Sequence, residues 1–186
     1  MYGKIIGIMG KYGAGKDTVA GMICNYHPSL DFKITGFADG VRAAYTALTC
    51  EEIDDYSQEF KQRHNHFGMT NRELLERIGE GMRKLVGDDV WIKRLQSHIH
   101  DGGNYIITDV RYPNELEFLY RIGAKVFVVE RPGNPAPQTD HPANTAIWKY
   151  IEDKNLMLPT LVNDGDLNDL TLKVIDFAYH VLNIEE

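Results

Sequence analysis

A glycine-rich stretch near the N-terminus carries the residues best suited to bind phosphate. Residues 10–18 read GKYGAGKDT, after a short apolar run and before a plausible helix. Glycines let a turn direct backbone N–H groups around phosphate oxygens, and the start of a helix adds unpaired N–H donors. Lys16 adds a positive charge at the same place. The order of strand, glycine-rich turn, Gly-Lys and helix therefore predicts a phosphate-binding loop.

One residue of this loop also points to a metal ion. Asp17 stands directly after the lysine, where Ser or Thr is usual. A carboxylate is a suitable ligand for Mg²⁺ but repels bare phosphate, so Asp17 predicts a metal ion between them. The alternative is a glycine-rich turn that binds no ligand. On the first interpretation, the phosphate contacts are Gly10, Gly13, Ala14, Gly15, Lys16, Asp17 and Thr18.

A second carboxylate and an arginine follow a later strand. Residues 105–109 are an apolar run that ends in Asp109, and Arg111 comes two residues further on. Ligands in open α/β sheets bind outside the carboxyl ends of the strands. An acid at such a position reaches the magnesium of a bound nucleotide, directly or through water. Asp109 is therefore the second candidate metal ligand, and Arg111 is a candidate phosphate contact.

Short apolar segments alternate with helical patterns along the chain. The alternation predicts a five-stranded parallel sheet covered by helices on both faces. A chain of 186 residues is long enough for one such domain, here 1–186, with a helical insertion at about 40–100. A polar stretch at about 133–145 is a candidate lid segment. The predicted strands are 4–9, 32–37, 105–109, 125–130 and 156–162.

The predicted insertion begins with an acid and a base that are close in sequence. Asp39 and Arg42 follow the second predicted strand, at the edge of the sheet where the phosphate loop lies. Both side chains are therefore expected near the mouth of that loop. Asp39 is also placed as the N-cap of the helix that follows, and a capping role alone is the alternative.

A later helix of the insertion presents a mixed charged side. It begins at Thr70, a capping residue, and Arg72, Glu76, Gly79 and Arg83 fall together on one side. Two arginines three turns apart, with a glycine between them, form a stripe suited to an anionic ligand. The alternative is a solvated face with an ordinary i,i+4 ion pair. The predicted apolar side is Leu74, Leu75, Ile78, Met82, Leu85 and Val86.

Composition narrows the class of partner. The chain has 20 Lys and Arg against 27 Asp and Glu, a net charge of −7, which argues against a nucleic-acid binder. We see neither a signal peptide nor an apolar run long enough for a membrane span. Two cysteines are too few for a disulfide framework and favour a reducing compartment. We therefore expect a cytoplasmic protein that acts on small molecules, away from membranes.

These segments occur together, and in the same order, in a known group of enzymes. The chain resembles the phage-type deoxynucleoside monophosphate kinases over most of its length. Its most specific motifs are GKDT at 15–18 and DVRYPNE at 109–115, and weaker ones include FAD at 37–39 and GDDVW at 87–91. More distantly, the chain is similar to dephospho-coenzyme A kinases, which share the fold and the Asn-x-Gly turn found here at 163–165.

The resemblance implies a P-loop kinase fold, with ATP and Mg²⁺, that transfers the γ-phosphoryl group to a deoxynucleoside 5′-monophosphate. It adds Asn163 and Gly165 to the ATP contacts. Guanidinium groups suit phosphate because they donate two parallel hydrogen bonds. The residues expected to serve the transfer itself are Lys16, Asp39, Arg111 and Arg131. Those expected to bind the acceptor are Asp39, Arg42, Arg72, Glu76, Arg83 and Arg111.

Two other functions fit the same motifs. One is another small-molecule kinase of this fold, above all a dephospho-coenzyme A kinase. The other is a nucleotide-binding ATPase module without an acceptor, in which the arginine stripe has no obvious use. The sequence leaves open the accepted bases, the preference for deoxyribose, the role of His141 and whether the chain forms a homodimer.

Overall fold

Five parallel strands form one sheet in the computed structural model, which describes residues 2–53, 57–134 and 142–184. The strand order is β2-β3-β1-β4-β5, and every neighbouring pair is parallel. This confirms the fold class predicted from the alternation of elements. The strands are β1 (Ile5–Met9), β2 (Lys33–Thr35), β3 (Tyr105–Ile107), β4 (Lys125–Glu130) and β5 (Thr160–Val162).

The described residues contain eight α-helices and one 3₁₀ turn, and none of these helices is long and apolar enough to cross a membrane. The chain divides into two compact units. Residues 1–36 and 99–186 form the sheet unit, and residues 37–98 form the helical unit. The helices are α1 (Lys16–Tyr26), α2 (Asp39–Thr49), α3 (Gln58–Gln62), α4 (Asn71–Val86), α5 (Val90–His98), α6 (Pro113–Arg121), α7 (Pro142–Asp153) and α8 (Leu167–His180).

Strand β1 is buried on both of its faces, which explains its continuous apolar sequence. Ile6 and Ile8 belong to the core cluster that the sheet forms with α1 and α8. Gly7 points to the opposite face, where a side chain would meet Leu119 of α6. Helices therefore cover both faces of the sheet, as predicted.

The strand order indicates where a sheet of this kind binds its ligand. From β1 the chain crosses to β2 and β3 on one side, and from β3 it crosses back to β4 on the other side of β1. The connections after β1 and β3 thus leave in opposite directions. In open α/β sheets such a point forms the crevice that binds ligands. The phosphate loop follows β1, and Asp109 and Arg111 follow β3.

In the helical unit, α4 packs against α2, α3 and α5. It begins with a reciprocal capping box, in which the Thr70 hydroxyl accepts from the Glu73 N–H and the Glu73 carboxylate accepts from the Thr70 N–H. The predicted apolar side is only half correct. The three residues nearest the N-terminus (Leu74, Leu75, Ile78) are buried, whereas Leu85 is 81% exposed and Val86 is 59% exposed.

Three other local predictions differ from the structure. Asp39 is the first residue of α2 and does not cap it, because Ala38 holds the N-cap position. Strand β2 is three residues long, shorter than the predicted 32–37. Strand β5 begins at Thr160 because residues 154–156 close α7: Asn155 has φ of 49° and the Leu156 N–H donates to Ile151 O at 3.0 Å.

The predicted lid segment falls largely outside the described residues. Residues 135–141, including His141, are not described, and α7 already begins at Pro142.

Candidate active site

The phosphate loop has backbone angles that only glycine adopts readily. Gly10, Gly13 and Gly15 have φ of 156°, 73° and 97°. A side chain at position 10 would also lie 2.5 Å from the carbonyl oxygen of Val129 in β4. Gly15 is the N-cap of α1 and has no side-chain capping bond, so no side chain of its own covers the start of that helix. The local structure is therefore the one that the glycine spacing predicted.

Lys16 lies folded against its own loop. Its Nζ donates to the carbonyl oxygens of Gly10 at 3.1 Å and Lys11 at 3.2 Å. Burial lowers the pKa of the Lys16 ammonium and the nearby Arg111 charge lowers it further, while Asp17 and Asp109 act in the opposite direction. The charges of Asp109 and Arg111, the two predicted site residues that follow β3, thus both act on the Lys16 ammonium.

Two asparagine amides from later segments of the chain bind carbonyl groups of the loop. Asn163, at the carboxyl end of β5, is 8% exposed, and its Nδ2 donates to Ala14 O at 3.0 Å. Asn134, which follows β4, donates from its Nδ2 to Tyr12 O. The Asn-x-Gly resemblance had singled out Asn163, and the structure places its amide against the loop backbone. Asn134 was missed, because nothing in the sequence near it pairs it with residues 122 positions earlier.

The two candidate metal ligands differ in exposure. Asp17 is exposed in the first turn of α1, whereas Asp109 is only 7% exposed. Gly36, just after β2, lies so close to the Asp109 carboxylate that a Cβ there would be 2.6 Å from Cγ. Among the described residues no group of three or more His, Cys, Asp or Glu side chains is placed to hold a metal on its own.

The DVRYPNE motif has a structural explanation. The carboxylate of Glu115, 2% exposed, accepts from the backbone N–H groups of Arg111 at 2.8 Å and Tyr112 at 3.0 Å. It thereby caps α6, whose first residue is Pro113. The buried glutamate fixes the backbone of Arg111, and the Arg111 side chain is exposed. From the sequence, Glu115 was recognisable only as part of the motif, and its capping of α6 was missed.

A cavity of about 470 Å³ adjoins the phosphate loop. Lys11 and Ala14 line it from the loop, Arg131 and Asn134 line it from the segment after β4, and Trp148 lines it from α7. Arg131 is therefore exposed beside the phosphate loop. Gly165 lies in the turn before α8, where a side chain would collide with Asp169.

The remaining predicted residues belong to the helical unit. Asp39 and Arg42 form an ion pair within α2, with both side chains about one third exposed. Arg72 donates to Gln58 Oε1 at 2.8 Å, and Glu76 is half-buried on the same helix. Both contacts lie among side chains that water still reaches.

Arg83 differs from the other arginines. It is 8% exposed, and its guanidinium donates to the backbone oxygen of Asp88 at 2.7 Å. Gly79, which the sequence placed in an open stripe, accepts from the Trp91 Nε1 of α5 at 3.1 Å. The carboxyl-terminal half of the predicted stripe is thus packed against the α4–α5 connection and does not form a solvated face.

Comparison with known proteins gives two similar sequences. The chain is 25% identical over 190 residues to a "Putative deoxynucleotide monophosphate kinase" of Acanthamoeba polyphaga mimivirus, covering 92% of this chain and 94% of that protein. It is 33% identical over 118 residues to the deoxynucleoside-5′-monophosphate kinase of Escherichia phage T5, covering 58% of this chain and 45% of that enzyme. These matches confirm the resemblance drawn from the motifs. No family model matches the chain.

The dephospho-CoA kinase of Campylobacter jejuni aligns with 96% of this chain and 97% of its own, at 14% identity and a TM-score of 0.47.

Proposed function

We propose that this chain is a kinase that transfers the γ-phosphoryl group of ATP to the 5′-phosphate of a deoxynucleoside monophosphate. The observation that carries this proposal is the phosphate loop itself, in which Lys16 lies within electrostatic reach of Asp109 and Arg111. The names of the mimivirus and phage T5 relatives support the choice of acceptor.

Lys16 and Arg111 are proposed to stabilise the group in transfer. An oxygen of the acceptor phosphate forms a bond to the γ-phosphorus, while the bond from that phosphorus to the β–γ bridging oxygen breaks and ADP leaves. Charge spreads over the transferring group, so that positive side chains and oriented N–H groups lower the barrier. Lys16 would exchange its bonds to Gly10 O and Lys11 O for phosphate oxygens. The acceptor phosphate is already ionised near neutral pH and needs no general base.

Asp17 and Asp109 are proposed to hold Mg²⁺. Both offer carboxylate oxygens, which this hard cation prefers, and both influence the titration of Lys16. The donor set fits a cation that keeps several waters and shares the oxygens of a nucleotide. When bound, Mg²⁺ would neutralise charge on the β- and γ-phosphate oxygens.

Arg42 and Arg72 are proposed to contact the acceptor phosphate. Each guanidinium is partly exposed, and each has a side-chain partner, Asp39 or Gln58, that a phosphate group could replace. Asp39 and Glu76 would then orient the sugar or the base through hydrogen bonds. Arg83 is proposed to act indirectly, because its buried bond to Asp88 O holds the connection between α4 and α5.

The test is release of ADP from ATP and Mg²⁺ with a panel of acceptors. We expect release to depend on a deoxynucleoside monophosphate, with ribonucleoside monophosphates and dephospho-coenzyme A as the comparison acceptors. The same panel with the Lys16→Ala variant controls for contaminating activity. Release that is equally fast without any acceptor would identify an ATPase module, and release only with dephospho-coenzyme A would identify the other kinase.

A further inference from the structure

Two carbonyl groups of the phosphate loop are bound by side chains from two distant segments. Asn134 donates to Tyr12 O and Asn163 donates to Ala14 O. Between these two acceptors lies Gly13, and directly after them lies Gly15. Both glycines have positive φ. Because glycine adopts positive and negative φ about equally readily, its own preference does not fix either conformation.

Peptide geometry connects each of these bonds to an N–H group on the other side of the loop. No peptide bond in the described residues is cis, and in a planar trans peptide the C=O and the following N–H point in opposite directions. Because Asn134 holds Tyr12 O, the Gly13 N–H of the same peptide points away from Asn134. By the same geometry, Asn163 sets the direction of the Gly15 N–H through Ala14 O.

We propose that Asn134 is a positioning residue for phosphate binding, which directs the Gly13 N–H toward the phosphate chain by holding the Tyr12 carbonyl. The inference rests on the proposed function only in taking a phosphate chain as the ligand of this loop. Asn134 touches the loop and not the reacting atoms, so its effect passes through the backbone.

The surroundings of Asn134 favour this function over simple surface packing. Its Oδ1 lies 3.1 Å from the place that a Cβ on Gly13 would occupy, so the whole amide fits against the tip of the loop. Its backbone N–H donates to Arg131 O at 3.2 Å, which closes a turn after β4. The same residue thus links the position of Arg131 to the conformation of the loop.

The chemistry requires a donor at this position. Replacing Asn134 by Asp keeps the size of the side chain but places a carboxylate oxygen against the Tyr12 carbonyl, two acceptors without a proton between them. The added charge also repels a phosphate chain. Replacement by Ala removes the donor alone. The Asp variant should therefore bind phosphate more weakly than the Ala variant.

The experiment is calorimetric binding of two ligands, ATP and inorganic tripolyphosphate, each with Mg²⁺. For Asn134→Ala we expect at least tenfold weaker binding of both ligands, and for Asn134→Asp a larger loss of both. Asn104→Ala is the matched control. Asn104 also holds a distant turn, donating to Leu30 O at 2.6 Å and accepting from the Lys4 N–H at 2.6 Å, but it lies at the amino-terminal edge of the sheet. The affinities of the Asn104→Ala variant for ATP and tripolyphosphate should equal those of the wild type.

Two further measurements separate positioning from general destabilisation. In steady-state kinetics the KM for ATP should rise in both Asn134 variants, with the KM for the monophosphate unchanged. The Tm of both Asn134 variants without ligand should fall no further than that of Asn104→Ala. Wild-type affinity in both Asn134 variants overturns the inference and leaves the proposed function intact. A wild-type protein that binds neither ligand overturns both.

Discussion

Gly36→Ala should damage the proposed metal site without unfolding the protein. The new methyl group would lie 2.6 Å from Cγ and 2.7 Å from Oδ1 of Asp109. Carbon atoms in contact prefer about 3.5 Å, so the carboxylate must retreat by about 1 Å. A misplacement of about 1 Å in a reacting site can cost about 100-fold in rate, or about 2.7 kcal/mol. The side chain itself loses only about 0.5–1.5 kcal/mol on leaving its rotamer, which lowers the Tm by a few degrees.

The assay is ADP release with saturating deoxynucleoside monophosphate over a range of Mg²⁺ concentrations, with Tm measured in parallel. Gly21→Ala is the control, because a Cβ at Gly21 in α1 has no atom within 4 Å and alanine favours the helix. We expect kcat to fall about 100-fold in Gly36→Ala. A kcat within twofold of wild type, with Asp109 displaced, would refute the assignment of Asp109 to the site.

Three further changes test other parts of the structure. Lys16→Ala should abolish phosphoryl transfer while Tm stays near that of the wild type, because the loop is held by its backbone and its asparagine contacts; measurable turnover would contradict this. Arg83→Ala should lower the free energy of unfolding, measured in urea, by about 1–3 kcal/mol, because Asp88 O loses its donor. It should raise the KM for the acceptor less than Arg72→Ala does. A larger KM effect in Arg83→Ala would identify Arg83 as a direct contact of the acceptor. Hydrogen bonds from the Thr70 backbone and hydroxyl lower the pKa of Glu73. Between the lowered pKa of Glu73 in the folded protein and its ordinary pKa in the unfolded chain, the unfolded chain binds more protons. The ionised carboxylate therefore stabilises the folded state above this range, and that stabilisation is lost as pH falls through the lowered pKa. In urea unfolding, the free energy of unfolding of Glu73→Gln should lack this loss at acid pH. A pH profile identical to that of the wild type would show that the Glu73 carboxylate does not stabilise the protein.

The sequence predicted best where structure depends on neighbouring residues. The phosphate loop is specified by glycines within a few positions of each other, and its three positive φ angles follow from them. Strand β4 has the predicted bounds, since its apolar run is closed by Gly123 and Pro132. The parallel sheet follows from the regular alternation of strands and helices.

Prediction failed where distant residues decide the outcome. Leu85 and Val86 follow the helical period of α4, but period alone does not show where the packing partner of a helix ends. The sequence could not relate Asn134 to Tyr12, because a side-chain bond across 122 positions leaves no local pattern. The burial of Arg83 was equally hidden from the sequence, because its partner is the backbone carbonyl of Asp88 and a backbone partner carries no sequence signal.

The proposed reaction moves the γ-phosphoryl group of ATP to a deoxynucleoside monophosphate at the loop that contains Lys16. The most direct measurement follows γ-labelled ATP with Mg²⁺ and each deoxynucleoside monophosphate, and separates the products by chromatography. We expect label in a deoxynucleoside diphosphate with the wild-type protein and none with Lys16→Ala. Label found only as inorganic phosphate, in the same amount with and without acceptor, would contradict it.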